Sequence, residues 1–205
     1  HVLLVEDQKM FAESLARLVA GRPDVASVSV AASLKELQRT GLHPQVDVAV
    51  VDWHLGDASG AASIDEIRRI APDAKVVVLT GSDHARVLDA ALAAGCDGFV
   101  SKSAPVGALD AAIDSALSGG CSITARSMRP PMGAAASDPG LSGRELEVVA
   151  SLVEGMSNAE IGEALFISAN TVRNHGQRIS AKLGASSRLD IAMSALRRGL
   201  VELPR

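Results

Sequence analysis

The adjacent acids Glu6 and Asp7, a single Asp52, then Thr80 and Lys102 each stand at or just past the end of a short apolar run. The runs are Val2-Leu3-Leu4-Val5, Val46 to Val51, Val76-Val77-Val78-Leu79 and Gly98-Phe99-Val100. If these runs are neighbouring parallel strands, the five side chains gather on one rim, because chemistry in open parallel sheets collects at the carboxyl ends of the strands. Three carboxylates a few ångströms apart repel one another and raise each other's pKa unless a cation joins them. An all-oxygen donor set with room for water suits Mg²⁺, the usual partner of phosphate chemistry. A lysine across the site would neutralise charge, and a threonine hydroxyl could hydrogen-bond a phosphoryl oxygen. One acid at a strand end is an ordinary solvated loop residue. An acid pair, a lone Asp, a Thr and a Lys at four successive strand ends read as a site.

The elements that must position these groups follow from the pattern. The apolar runs are continuous rather than alternating, as in strands covered on both faces, and Ser27 to Ala31 is a weaker fifth. Between them lie helical stripes: Phe11, Leu15, Leu18 and Val19 share one face, as do Leu109, Ala112, Ile113 and Ala116. Ser33 with Glu36 forms a capping box, and Gly21, Gly41 and Gly95 sit where helix C-caps belong. Five strands alternating with five helices predict an α/β doubly wound five-stranded parallel sheet over residues 1–118. The rhythm stops there. Residues 119–140 mix Gly, Pro, Ser and Ala without a period, and Pro130-Pro131 forbids a helix, so a linker is expected, with a short helical piece allowed at its start. Over 141–205 the pattern is helical only: capping boxes at Ser142/Glu145 and Ser157/Glu160, then stripes ended by Gly155 and Gly184, predict a small four-helix all-α domain.

Composition narrows the class. The 205 residues are 47% hydrophobic, which excludes wholesale disorder, and no apolar run reaches the roughly 18–20 residues of a membrane span. No charged segment followed by an apolar stretch and cleavage site opens the chain, so no secretory signal is expected. Cys96 and Cys121 offer no disulfide framework, and a cytoplasmic setting is the expectation. A net charge of −4 argues against bulk nucleic-acid binding but leaves room for a local patch.

The acid pair, Asp52, Thr80 and Lys102 together resemble the receiver domain of bacterial two-component response regulators, a flavodoxin-like fold, over residues 1 to about 118. The resemblance implies that Asp52 is the phosphoacceptor for a sensor histidine kinase. It further implies that Glu6, Asp7, Asp52 and the backbone carbonyl of His54 bind Mg²⁺, that Thr80 contacts the phosphoryl group and that Lys102 pairs with it. Phe99, three residues before Lys102, matches the aromatic whose rotamer follows Thr80. Departures are Gly56 and Ser103 where relatives often carry Pro, and the bulky Trp53 and His54 beside the acceptor. None removes a required group.

In the helical part charge is informative locally. Residues 137–205 carry eight basic and eight acidic side chains, yet Ala164 to Leu189 holds Arg173, Arg178, Lys182 and Arg188 and no acid. That is a basic face suited to phosphates. With Ser168 as N-cap of the third helix, Val172, Gly176, Ile179 and Leu183 point inward, while Asn174, Gln177 and Arg178 point outward with Arg173 and Lys182 on their flanks. Arg, Asn and Gln read base edges in the major groove, and a short turn at Phe166 to Ser168 fits a helix-turn-helix. A protein-interaction module with a solvated basic face fits the charge equally well.

The stretch LSGRELEVVASLVEGMSNAEIGEALFISANTVRNHGQRISAKLGASSR is similar to the LuxR-type helix-turn-helix over about Leu141 to Leu200. By this resemblance Arg173, Asn174 and Gln177 read bases, and Asn158, Thr171, Arg178 and Lys182 contact phosphates. His175 is expected to pack rather than ligate a metal, and Gly176 replaces an aliphatic residue at roughly 1 kcal/mol of helix stability relative to Ala. Receiver plus LuxR-type domain resembles the NarL/FixJ class, and implies a phosphorylation-controlled transcription factor that binds double-stranded DNA as a homodimer when phosphorylated. It implies no membrane partner and no enzymatic role beyond self-dephosphorylation. Two alternatives stand beside it: a regulator of the same build controlled by a ligand or by dimerisation alone, and an Mg²⁺-dependent phosphohydrolase. The second would carry an acid two residues past its nucleophile, where this chain has His54.

Overall fold

A computed structural model describes residues 1–40, 45–82, 84–120, 122–124 and 140–201. In chain order its elements begin β1 (Val2–Val5), α1 (Lys9–Ala20), β2 (Val28–Ala31), α2 (Leu34–Thr40) and β3 (Val48–Asp52). A small hairpin, β4 (His54–Leu55) with β5 (Ala58–Ser59), then leads into α3 (Gly60–Ile70), β6 (Lys75–Thr80), α4 (Ala85–Ala93), β7 (Gly98–Ser101) and α5 (Gly107–Leu117). The strands line up β2-β1-β3-β6-β7, all parallel, as the doubly wound pattern requires.

Strand side chains divide by the period of two. Leu3, Val5, Ala49, Val51, Val76, Val78 and Phe99 pack with Leu37, Ile64, Ile67, Leu88 and Leu92 beneath α2, α3 and α4. Val2, Leu4, Val48, Val50, Val77, Leu79 and Val100 pack with Leu15, Val19, Leu109 and Ile113 beneath α1 and α5. Both faces are therefore covered, which is why these strands are apolar at every position.

Two local expectations change. A sixth strand, β8 (Ser122–Thr124), adds in parallel to β7, so the start of the expected linker is sheet rather than helix. The Ser33 hydroxyl does accept from the Glu36 N–H, but the Glu36 carboxylate reaches back to the N–H of Ala32, one residue beyond the box position. Gly41 and Pro130-Pro131 lie outside the described residues.

The remaining helices are α6 (Gly143–Val153), α7 (Asn158–Leu165), α8 (Ala169–Leu183) and α9 (Arg188–Arg197). Both capping boxes form, at Ser142/Glu145 and Ser157/Glu160. Val148, Val149, Leu152, Ile161, Val172, Ile179, Leu183 and Ile191 make the core. Gly162 lets the α7–α8 turn close: a Cβ there would lie 2.7 Å from the Ile167 carbonyl oxygen. Phe166 takes the left-handed conformation at φ 55° in this turn and is exposed. Among the described residues no helix is long and apolar enough to cross a membrane.

The two parts touch through α9. Leu189 and Met193 belong to the same apolar cluster as Leu88, Leu92 and Phe99 of the sheet domain. Arg197 pairs with Asp89 on α4 at 2.5 Å, and the Ser186 hydroxyl donates to the Leu92 carbonyl at 2.9 Å.

Glu145 is buried, accepts from the Ser142 N–H and is paired with Lys182 at 2.7 Å. The Lys182 hydrogen bond and the capping contacts hold its carboxyl down at about 2. A depressed folded-state pKa contributes stability above the unfolded value near 4.5 and loses it as pH falls toward 2. Glu145→Gln is therefore expected to cost about 1–2 kcal/mol near neutrality, after discounting for the partly exposed lysine. Hydrogen exchange at the Leu152 and Ile179 amides checks this, with wild type and variant converging in acid.

Candidate functional site: an acidic rim and a basic helix

The register places the acidic rim. Asp52 ends β3 opposite Leu79, whose carbonyl accepts from the Trp53 N–H at 2.8 Å, and Thr80 ends β6 opposite Ser101. The Lys102 N–H in turn donates to the Thr80 carbonyl at 2.7 Å. Glu6 leaves β1 with its N–H on the Ala31 carbonyl. The sequence-predicted groups are thus brought together: carboxylate oxygens of Glu6, Asp7 and Asp52 lie within 4.8 Å of one another. Glu6 and Asp52 are buried, while Asp7 is exposed.

Lys102 answers this charge. Its Nζ lies 2.7 Å from Glu6 Oε2 and 2.9 Å from Asp52 Oδ2. Burial, aided by the Asp52 charge, pushes the Glu6 carboxyl above the ordinary range against the pull of Lys102. Burial pulls the Lys102 ammonium down, but its hydrogen bonds to Glu6 and Asp52 outweigh that and leave it raised. The other contacts fix the loops. His54 N–H donates to Asp52 Oδ1 at 3.1 Å, Gly56 N–H to Asp7 Oδ2 at 3.0 Å, and Ser82 N–H to Thr80 Oγ1 at 3.0 Å. Trp53 folds over Gly60, where a Cβ would sit 2.1 Å from its ring. A hard divalent cation fits this donor set: three carboxylates on one rim, all oxygen, one of them facing solvent.

Thr80 and Phe99 are both fully buried and lie on the same sheet face, since Phe99 pairs with Val78, two residues before Thr80. That face is the one beneath α4.

On the helical part, Arg173, Asn174, Gln177 and Arg178 are exposed along α8. Arg173 and Gln177, with Asn158, line a cleft of about 430 Å³ that Lys75 and Gly119 of the sheet domain also border. Three predicted contacts, Asn158 among them, also hold local structure. The Thr171 hydroxyl shares a hydrogen bond with Ser168, the Asn158 side chain accepts from Arg188, and the Lys182 ammonium serves Glu145 and the Gly140 carbonyl. His175 is partly buried with no acid or thiol cluster about it among the described residues. Sequence reasoning placed Arg188 on the basic face but not its hold on the start of α7, where it also donates to the Met156 carbonyl, and it missed the ring of Phe11 beneath Lys102. Phe11 was legible only as part of an apolar stripe.

An acidic rim at the ends of parallel strands joined to a helix-turn-helix defines a signal-receiving DNA-binding regulator as the class. Residues 2–114 match the family described as response regulator receiver domain, and residues 139–195 match the luxR family of bacterial regulatory proteins. The chain belongs to the two-component response regulators that join these two domains. It is 32% identical to the DNA-binding transcriptional activator DevR/DosR of Mycobacterium tuberculosis, over 95% of this chain and 93% of that one. It is 29% identical to the transcriptional regulatory protein LiaR of Bacillus subtilis, over 98% and 99% of the two chains. In fold it resembles the RcsB response regulator of Salmonella typhimurium, at a TM-score of 0.58 and 21% identity, covering 94% of this chain and 95% of that one.

Proposed function

We propose that Asp52 accepts a phosphoryl group from a sensor histidine kinase and that this event controls binding of double-stranded DNA by residues 141–205. The supporting observation is Lys102 held between Glu6 and Asp52 beside the three-carboxylate cluster. An Asp52 oxygen attacks phosphorus. As the new O–P bond forms, the P–N bond to the kinase histidine breaks, and its electron pair leaves with the imidazole. Mg²⁺, when held by Glu6, Asp7, Asp52 and the His54 carbonyl, would supply charge neutralisation and alignment. Lys102 transfers its contact from Asp52 to a phosphoryl oxygen, and the Thr80 hydroxyl leaves the Ser82 N–H for another. Any turnover is confined to hydrolysis at Asp52.

Phe99, on the sheet face that also carries Thr80, shares an apolar cluster with Leu88 and Leu92 of α4 and with Leu189 and Met193 of α9. A shift of Thr80 and Phe99 loosens that packing and releases α9 and the cleft-facing side of α8, so that the freed chain dimerises on paired half-sites in the cytoplasm. RcsB has been solved as dimers bound to DNA, which accords with this reading.

Titrating Mg²⁺ and then beryllofluoride, a phosphoryl mimic, while following Trp53 fluorescence tests the proposal. A saturable response accompanied by tighter DNA binding is expected. A chain that binds DNA identically with and without the mimic is a phosphate-independent regulator instead. Arg173→Ala is expected to weaken DNA binding by about 1–3 kcal/mol and relax specificity at one base position. Equal weakening on every sequence, measured by titration against a panel of sites, would reassign it to a phosphate.

A further inference from the structure

We infer that Phe11 is a positioning residue for phosphoryl transfer: its ring seats the Lys102 ammonium over the acceptor when the neighbouring carboxylates turn to a metal ion. The inference rests on Asp52 being the phosphoacceptor.

Among the described residues three groups meet the ammonium: Glu6 Oε2 at 2.7 Å, Asp52 Oδ2 at 2.9 Å and the face of Phe11, 4.6 Å from the ring centroid. Two of them belong to the carboxylate cluster that fits a divalent cation. A cation there claims lone pairs that now serve Lys102, and its charge repels the ammonium across a few ångströms. The ring is the one neighbour that cannot ligate such an ion, so its attraction persists through the exchange. Ring faces are electron-rich, and the attraction grows where water is excluded. The Lys102 side chain is only 15% exposed.

Packing alone does not ask for an aromatic here. Phe11 lies in the α1 stripe with Leu15 and Leu18, where leucine would pack as well, and the chain holds only three Phe. Beside the ring is a cavity of about 90 Å³ lined also by Leu15, Leu18, Pro105, Leu109 and Lys102. With an aliphatic residue at position 11, the lysine stem has this space to retreat into and no ring face to hold its charged end.

The test uses the full chain with Phe11→Leu, Phe11→Tyr and Phe11 replaced by mono-, di- and trifluorophenylalanine. Fluorination drains the ring face while nearly preserving shape. Phosphorylation by acetyl phosphate at saturating Mg²⁺ is followed through Trp53. The ring-current shift of the Lys102 ε-methylene, read by NMR without metal, gives a readout independent of activity. Phe11→Leu is expected to slow phosphorylation about threefold to thirtyfold and abolish the ring-current shift. Phe11→Tyr should stay within about twofold of wild type, and the logarithm of the rate should fall stepwise with fluorine number. Rates that stay level across the fluorinated series, or follow thermal stability alone, overturn the inference. A wild-type chain that acetyl phosphate does not label overturns the phosphoacceptor reading itself, which separates the two failures.

Discussion

Asp52→Ala is expected to reduce labelling by acetyl phosphate or a partner kinase to background, a loss of at least roughly a thousandfold, because in the proposed reaction the Asp52 carboxylate is the nucleophile. Glu6 is pushed upward by burial and by Asp52, and Asp7 is turned to solvent and tied to the Gly56 N–H. Neither substitutes geometrically for a carboxylate held at the end of β3 between the His54 N–H and Lys102. The change also removes one of three clustered carboxylates, so Mg²⁺ affinity should drop about tenfold or more. Folding stability should hold within about 1 kcal/mol, since relief of repulsion on Glu6 offsets the lost Lys102 contact. Phosphoprotein gels, a metal titration and a thermal melt together separate loss of chemistry from loss of fold. Persistent labelling would move the acceptor elsewhere.

The second large effect is expected at α9. Met193 is buried in the cluster shared with α4, and Met193→Glu would place a carboxylate in apolar surroundings in the docked arrangement but in water once α9 leaves. An unpaired buried charge costs several kcal/mol, so the equilibrium moves to the undocked form. The radius of gyration by small-angle scattering should rise without phosphorylation, and basal DNA affinity should increase about tenfold. Asp89→Arg, which sets two cations against each other, gives a milder opening of about twofold to fivefold. Adding Arg197→Asp restores the pair with its signs exchanged and should restore docking. Unaltered scattering in Met193→Glu would mean that the α4–α9 contact does not hold the domains together.

Much of the fold was legible because local rules act on it directly. Strands covered on both faces must be apolar at every residue, so Val48–Val51 and Val76–Leu79 announce themselves, and the capping boxes at Ser142 and Ser157 mark helix starts that the structure reproduces. The rim was legible for a topological reason: in a parallel sheet every strand ends on the same side, so spacing alone gathers Glu6, Asp7, Asp52, Thr80 and Lys102. β8 was not legible, since three residues in a Gly- and Ser-rich stretch join the sheet through backbone hydrogen bonds to β7 rather than by side-chain pattern. The hairpin β4–β5 escaped for the same reason.

What the sequence by itself determined is the architecture of each domain and the identity of the groups on the acidic rim, because both follow from periodicity and strand order. What only the tertiary structure decided is how charges and faces are shared out. Lys182 and Asn158 turn to Glu145 and Arg188, the Phe11 ring lies under Lys102, and α9 lays Leu189 and Met193 on α4. These pairings join residues as far as 108 positions apart in Asp89 and Arg197. No local pattern encodes such a contact; it exists only once two separately folded surfaces meet and exclude water between them.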